Sequence, residues 1–227
     1  MKVLQEDVLK IEDADACIIA KDQNGLLRLG VSAAGESDNA AAGVSEVLPW
    51  LLVAAAAAVR PERVRALGVT RVLSAAPELP DTPLPAGVAF QRVALLDAPS
   101  EDLAPHLDAA ADAIEQVRAS GGRTLVHCVA GVSRSAALCL AHLVKHCGLP
   151  LRAAFAHLRA RRPAARPSAA FFRQLIDFER AALGAASVAM VRHPAAPGAL
   201  IPDVYEPDYR HTVWFQQHCA GRAFGRH

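Results

Sequence analysis

Thr124-Leu125-Val126-His127-Cys128-Val129-Ala130-Gly131-Val132-Ser133-Arg134-Ser135-Ala136-Ala137-Leu138 begins as an apolar run, passes through the seven residues from Cys128 to Arg134, and closes on apolar spacing of helical period. A strand that enters a short loop and then a helix gathers backbone N–H groups and a helix N-terminus at one point, which is the geometry of an anion cradle. The residues expected to line that cradle are Val129, Ala130, Gly131, Val132, Ser133 and Arg134, with Gly131 supplying a backbone conformation that a side chain would resist. Cys128, at the mouth of the loop, lies in a field of amide donors, a helix dipole and a guanidinium, all of which favour thiolate over thiol. Arg134 offers a planar fork that matches two phosphate oxygens and stays charged at any working pH. His127 is expected to hydrogen-bond backbone near the loop and orient the cysteine, and the Ser135 hydroxyl to serve the sulfur as it leaves phosphorus. A single cysteine beside an apolar strand is more often an inert buried thiol. Five residue types at fixed offsets (His127, Cys128, Gly131, Arg134 and Ser135) weigh for chemistry instead.

Outward from this stretch, short apolar runs near 50–53, 70–75, 89–96 and 123–127 read as strands. Helical patterns fall near 61–67, 103–119, 134–147, 151–161 and 168–183. The alternation predicts an α/β fold, a central and mostly parallel twisted sheet flanked by helices. Residues 45–185 would form the catalytic domain. Residues 1–44 read as an N-terminal extension in which Asn24-Gly25 could close a small hairpin, and 186–227 as a Pro-rich C-terminal tail, packed on the domain or free of it.

Composition narrows the function. The 227 residues are 52% apolar but only 5% aromatic, so the core must be built from Leu, Val and Ala, and the formal charge is +1. That balance lacks the basic excess of nucleic-acid or membrane-surface binders, and neither partner is expected. The apolar run from Leu48 to Val59 is too short to span a bilayer. The first residues carry acids and no apolar core, so no secretory leader is expected. Five cysteines without a CxxC pair suit a reducing compartment, the cytosol or the nucleus. The pairs His142/His146 and Cys139/Cys147 share one predicted helix without further ligands, so no metal and no cofactor are expected. The cluster Arg159, Arg161, Arg162 and Arg166 reads as a solvated helix end, with steering of an acidic partner as the alternative.

His127-Cys128-x-x-Gly131-x-x-Arg134-Ser135 resembles the HCxxGxxRS signature of the protein tyrosine phosphatase superfamily, and most of all its dual-specificity branch. The similarity continues through ALCLAHLVKHCGLPLRAAFAHLRARRP and FFRQLIDFERAALG, covering about residues 45–185, and IPDVYE in the tail is similar to the C-terminus of small atypical members. The resemblance implies hydrolysis of phosphotyrosine, phosphoserine and phosphothreonine in proteins through a cysteinyl-phosphate, with proteins of the MAP kinase pathway as the substrate class. It also implies an aspartate general acid on a loop after an earlier strand. Asp97, about thirty residues before the cysteine and after FQRVALL, fits that place, whereas Asp102 reads as a cap for the following helix. Two departures stand out, Ser168 where the branch commonly has Asn and Ala170 where it has Gly. Ser168 can still cap the next helix. The departures keep open a catalytically weak, phosphoprotein-binding scaffold. A phosphoinositide or RNA phosphatase is the other alternative, but the loop carries no lysine to meet extra phosphates.

Overall fold

The computed structural model describes residues 18–21, 27–30 and 43–209. Strands β1 (Ile18–Lys21) and β2 (Leu27–Gly30) pair antiparallel from Ile18↔Gly30 to Lys21↔Leu27. The expected Asn24-Gly25 turn between them lies outside the described residues.

The central sheet is built from β3 (Val44–Leu48), β4 (Leu51–Ala55), β5 (Arg71–Ser74), β6 (Ala89–Arg92) and β7 (Thr124–Cys128), in the order β3-β4-β7-β5-β6. Only the β3–β4 pair is antiparallel; the other neighbours run parallel. The expected α/β architecture with a mostly parallel sheet is therefore what the chain forms. Edge strand β3 was not foreseen: its residues Val-Ser-Glu-Val-Leu do not alternate cleanly, the connection is Pro49-Trp50 without a glycine, and the register shifts between Glu46 and Leu48. β6 ends at Arg92 rather than near 96, because after Val93 N–H donates to the Ser74 carbonyl the chain leaves the ladder.

The inner strands β4, β5 and β7 alternate between two cores, as a period of two requires. Leu52, Ala54, Val72 and Leu125 face helix α1 (Pro61–Ala66) through Val64. Leu51, Val53, Leu73, Val126 and Cys128 face a larger layer made by α2 (Ala104–Ala119), α3 (Arg134–Lys145), α4 (Leu151–Arg161) and α5 (Ala169–Leu183). α3 is enclosed on every side, with all residues from Arg134 to Val144 buried. Ala136, Ala137 and Ala141 let neighbouring elements approach it closely, which is where the alanine-rich composition is used.

Beyond α5, β8 (Met190–Arg192) and β9 (Leu200–Pro202) pair antiparallel and lead into a 3-10 turn over Asp203–Tyr209. This part of the tail packs on the helical layer. Tyr205 is buried between Phe155 and Phe172, and its hydroxyl donates to the Pro167 carbonyl at 2.7 Å. The carboxylate of buried Glu179 accepts from the N–H groups of Leu151 and Ser187, both at 2.8 Å, and so joins the start of α4 to the chain beyond α5.

His142 is the buried histidine of this layer. Trp50 Nε1–H donates to its Nε2 at 3.2 Å, which leaves Nδ1–H to face the Ala111 carbonyl at 3.4 Å. Burial, opposed in part by the charge of Glu115, pulls its pKa from 6.5 to about 4. The neutral ring therefore contributes stability that is whole above pH 6.5 and lost as pH falls through about 4. Chemical denaturation should show unfolding free energy falling by about 1.4 kcal/mol per pH unit across that window from this group. The variant His142→Gln, which keeps an acceptor for Trp50, should lose that share; an unchanged slope would contradict the assignment.

Candidate active site

The loop between β7 and α3 is held from outside by its carbonyl groups. Val129 C=O accepts from Ala56 N–H at 3.1 Å, and Val132 C=O accepts from Arg166 N–H at 2.9 Å. Between them Arg162 donates through Nη2 to the Ala130 carbonyl at 3.2 Å and through Nε to the Gly131 carbonyl at 2.5 Å. Four successive carbonyls are thus turned outward, so the N–H groups of Gly131, Val132 and Ser135 point inward. Gly131 N–H reaches Cys128 Sγ at 3.2 Å, and the Ser135 hydroxyl lies 3.3 Å from the same sulfur. Arg162 is therefore no solvated helix end. Its remaining contacts, Gly43 C=O and Ser45 Oγ, tie the loop to the start of β3. Arg159 and Arg166 are likewise engaged, both by Asp208 of the tail.

Gly131 has φ of +66°, and an added Cβ would stand 2.4 Å from the Ala54 carbonyl oxygen and 2.5 Å from Arg162 Nη2. The loop has no room for any other residue there. Ser133 Oγ accepts from Ser168 N–H at 3.2 Å, and Ser168 Oγ accepts from Phe171 N–H at 3.2 Å. Ser168 thus caps α5 as expected and also anchors the loop, so this departure from the common motif leaves the support beneath the loop intact.

Cys128 is buried at the end of β7. Burial, the largest influence, pushes its thiol up. The Ser135 hydroxyl and the N–H groups of Ser135, Val132 and Gly131 together outweigh burial and hold the pKa below the ordinary thiol range. Cys139, one helix turn and more further along α3, shows the other outcome: fully buried with no such donors, its thiol is pushed far up.

Arg134 is buried at the first turn of α3. Its Nη1 and Nη2 engage Glu78 Oε2 and Oε1 at 2.9 and 2.7 Å, and Nη1 also donates to the Leu95 carbonyl at 3.2 Å. Burial opposes its charge, but Glu78 outweighs burial and raises the pKa. Asp97, with a side chain 49% exposed, lies on the loop after β6 with Oδ2 at 3.8 Å from Arg134 Nε. Asp102 Oδ1 instead accepts from Ala104 N–H at 3.1 Å at the start of α2. The loop residues Val129 and Ala130 are exposed, while Gly131 is buried and Val132 and Ser133 are half-buried.

The Cys128 backbone lies beside the His127 ring, as expected, but outside strict hydrogen-bond geometry. The ring is enclosed in the core, and neither nitrogen has a partner in hydrogen-bond geometry among the described residues. Burial, only partly offset by the nearby Cys128 backbone, lowers its pKa and keeps it neutral.

Residues 51–181 match the family described as "Dual specificity phosphatase, catalytic domain". The chain belongs to the dual specificity phosphatase family. Mouse dual specificity protein phosphatase 14 is 44% identical over 149 residues, 66% of this chain and 73% of that protein. Rat dual specificity protein phosphatase 18 is 37% identical over 172 residues, 75% of this chain and 82% of the relative. Among solved structures, human DUSP28 superposes with a TM-score of 0.59 at 38% identity, covering 61% of this chain and 94% of the other. A mouse putative dual specificity phosphatase complexed with zinc tungstate gives the same TM-score at 35% identity, covering 68% and 94%. This member of the family is a dual-specificity protein phosphatase that acts on phosphoprotein substrates.

Two residues of this site, Glu78 and Arg162, carry no signal in the sequence motif, because what they touch is fixed only when distant loops fold together. Gly131 can be tested against Gly148, which has φ of +65° but nothing within 4 Å of an added Cβ. Gly148→Ala should cost about 1–2 kcal/mol for its backbone alone. Gly131→Ala should cost more by chemical denaturation and abolish turnover of an aryl phosphate; equal losses at both positions, with activity kept, would contradict the close approach.

Proposed function

We propose that Cys128 is the nucleophile, Arg134 the phosphate-binding cation, Asp97 the general acid and then base, and Ser135 the donor to the departing thiolate. The inward amides of residues 129–134 hold the phosphate oxygens. The carrying observation is the geometry at the sulfur, with Gly131 N–H at 3.2 Å and the Ser135 hydroxyl at 3.3 Å from Cys128 Sγ, surroundings that favour the thiolate. In the first step the Cys128 thiolate forms an S–P bond while the P–O bond to the side chain breaks and Asp97 gives its proton to the leaving oxygen. In the second, water attacks phosphorus, Asp97 takes its proton, and the S–P bond breaks to return a thiolate that Ser135 hydrogen-bonds. His127, buried and with its pKa lowered by that burial, takes no proton in this scheme.

The exposed Val129 and Ala130 at the rim support a shallow site that admits serine and threonine as well as tyrosine. An oxyanion at this loop also accords with the tungstate carried by the mouse relative's complex. Proteins of the MAP kinase pathway, met in the cytosol or nucleus, are the substrates favoured by the resemblance to the branch. The absence of lysine between Cys128 and Arg134 speaks against a phosphoinositide.

Turnover of an aryl phosphate and of phosphopeptides tests this reading. Cys128→Ser should lose activity altogether. Asp97→Asn should remove the high-pH limb of kcat/KM and slow a phosphoserine or phosphothreonine peptide by about 10²–10⁴-fold. A nitrophenyl phosphate, whose leaving group barely needs a proton, should suffer less. Asp102→Asn should change stability by about 1 kcal/mol and the rate little. If Asp102→Asn flattens the high-pH limb and Asp97→Asn does not, the acid is misassigned.

A further inference from the structure

A proton donor must come within hydrogen-bond reach of the oxygen it protonates, so where Asp97 sits matters as much as what it is. Its side chain is half exposed, and its ion pair with Arg134 Nε is long, at 3.8 Å. The carboxyl is therefore placed by the backbone that carries it. That backbone is held at two ends. On the entry side Leu95 is buried, and its carbonyl accepts from Arg134 Nη1 at 3.2 Å. On the exit side both ends of one amide are engaged: Gln174 Oε1 accepts from Leu103 N–H at 2.6 Å, and Gln174 Nε2 donates to the Glu101 carbonyl at 2.9 Å. Between these anchors Glu101 N–H closes a turn onto the Ala98 carbonyl at 3.1 Å, and Pro99 fixes its own φ and restricts Ala98 before it.

Gln174 belongs to α5, about 9 Å along the helix from Ser168 at its N-cap. Ser168 N–H donates to Ser133 Oγ of the phosphate loop at 3.2 Å. One helix thus holds the phosphate loop at its start and the loop that carries Asp97 less than two turns further on. Cohesion alone does not call for the amide. Leu103, Leu107, Phe171 and Leu175 already lie in one buried core, so α2 and α5 adhere without it. An apolar side chain at 174 would pack as well, whereas a group with one donor and one acceptor at matching positions decides where the loop lies.

We infer that Gln174 is a positioning residue for proton transfer: through Glu101 and Leu103 it fixes the exit of the acid loop to the helix that anchors the phosphate loop, so that Asp97 meets the leaving oxygen. The inference rests on the proposed role of Asp97 as general acid. Without the amide, the Glu101 carbonyl and Leu103 N–H turn to water, the exit of the loop loosens, and Asp97 samples positions out of reach of the leaving oxygen. The phosphate loop, tied by other bonds, keeps its shape. A misplacement of about 1 Å can cost on the order of 10²-fold in a step that needs near-contact. That loss must follow the demand for a proton, heavy for the alkoxide of phosphoserine or phosphothreonine and slight for a nitrophenolate.

The test compares the parent protein with Gln174→Met, which keeps length and packing but neither hydrogen bond, with Gln174→Ala, with Asp97→Asn, and with the double variant Gln174→Met/Asp97→Asn. It reads kcat and KM for a phosphothreonine peptide and for nitrophenyl phosphate, the inhibition constant of inorganic phosphate, and Tm. Gln174→Met should lower kcat for the peptide by about ten- to a hundredfold and for nitrophenyl phosphate by no more than about threefold. Phosphate should bind as in the parent, and adding Gln174→Met to Asp97→Asn should cost nothing further on the peptide, because the two act on one step. Gln174→Ala should repeat the pattern at a lower Tm. Equal losses on both substrates, weakened phosphate, or a full further loss in the double variant would make Gln174 a structural support and overturn the inference, as would unchanged rates. If Asp97→Asn slows both substrates alike, the reading of Asp97 has failed and the inference with it; if Asp97→Asn discriminates between them and Gln174→Met does not, the inference alone has failed.

Discussion

Everything at this site depends on where four carbonyl groups point. A seven-residue loop has as many C=O groups as N–H groups, and an anion is attracted only if the former are turned away. Here the carbonyls of Val129, Ala130, Gly131 and Val132 are drawn outward by Ala56, by Arg162 twice and by Arg166. The amides then have nowhere to face but the sulfur. Without those outer acceptor–donor pairs the loop would present mixed dipoles, and burial would leave Cys128 an ordinary, inert thiol.

The sheet and helices supply these partners at fixed distances. Ala56 follows β4, which is hydrogen-bonded directly to β7, so the first tie is set by strand register. Arg162 and Arg166 leave the end of α4, and that segment is pinned in turn. Ser168 bonds Ser133, Tyr205 donates to Pro167, and the Arg166 guanidinium stacks 4.2 Å over the Tyr205 ring while pairing with Asp208. The tail thus reaches the phosphate loop through one intervening segment. On the opposite side of the site, Arg134 and Cys128 are brought together by the start of α3, whose alanines allow it to sit wholly inside the fold.

The sequence made the centre of this arrangement legible because local chemistry specifies it. Cys128, Gly131, Arg134 and Ser135 lie within eight residues, and their spacing alone places them on a strand end, a loop and a helix start. The helices, each with strong periodicity and a Pro, Ser or Gly at its ends, were also readable, as was the cap by Ser168. What failed to show was whatever depends on residues far apart in the chain. Glu78 and Arg134 are separated by 56 positions and Arg162 and Gly131 by 31. No periodicity connects such pairs, so Arg162 read as a solvated charge. His127 is a strand residue next to the loop: its nearness to the Cys128 backbone was legible from its place in the chain, but its burial in the core was not.

The central claim is that the outward-tied loop lowers the Cys128 pKa against its own burial. The direct measurement is the rate of Cys128 carboxymethylation by iodoacetate as a function of pH, followed by mass spectrometry of the peptide that contains Cys128. Cys139 and Cys147 are also buried and are read separately. The account predicts a midpoint clearly below the ~8.5 of an unperturbed thiol. A midpoint at or above that value would show that burial outweighs the amides and the Ser135 hydroxyl, and would contradict the account.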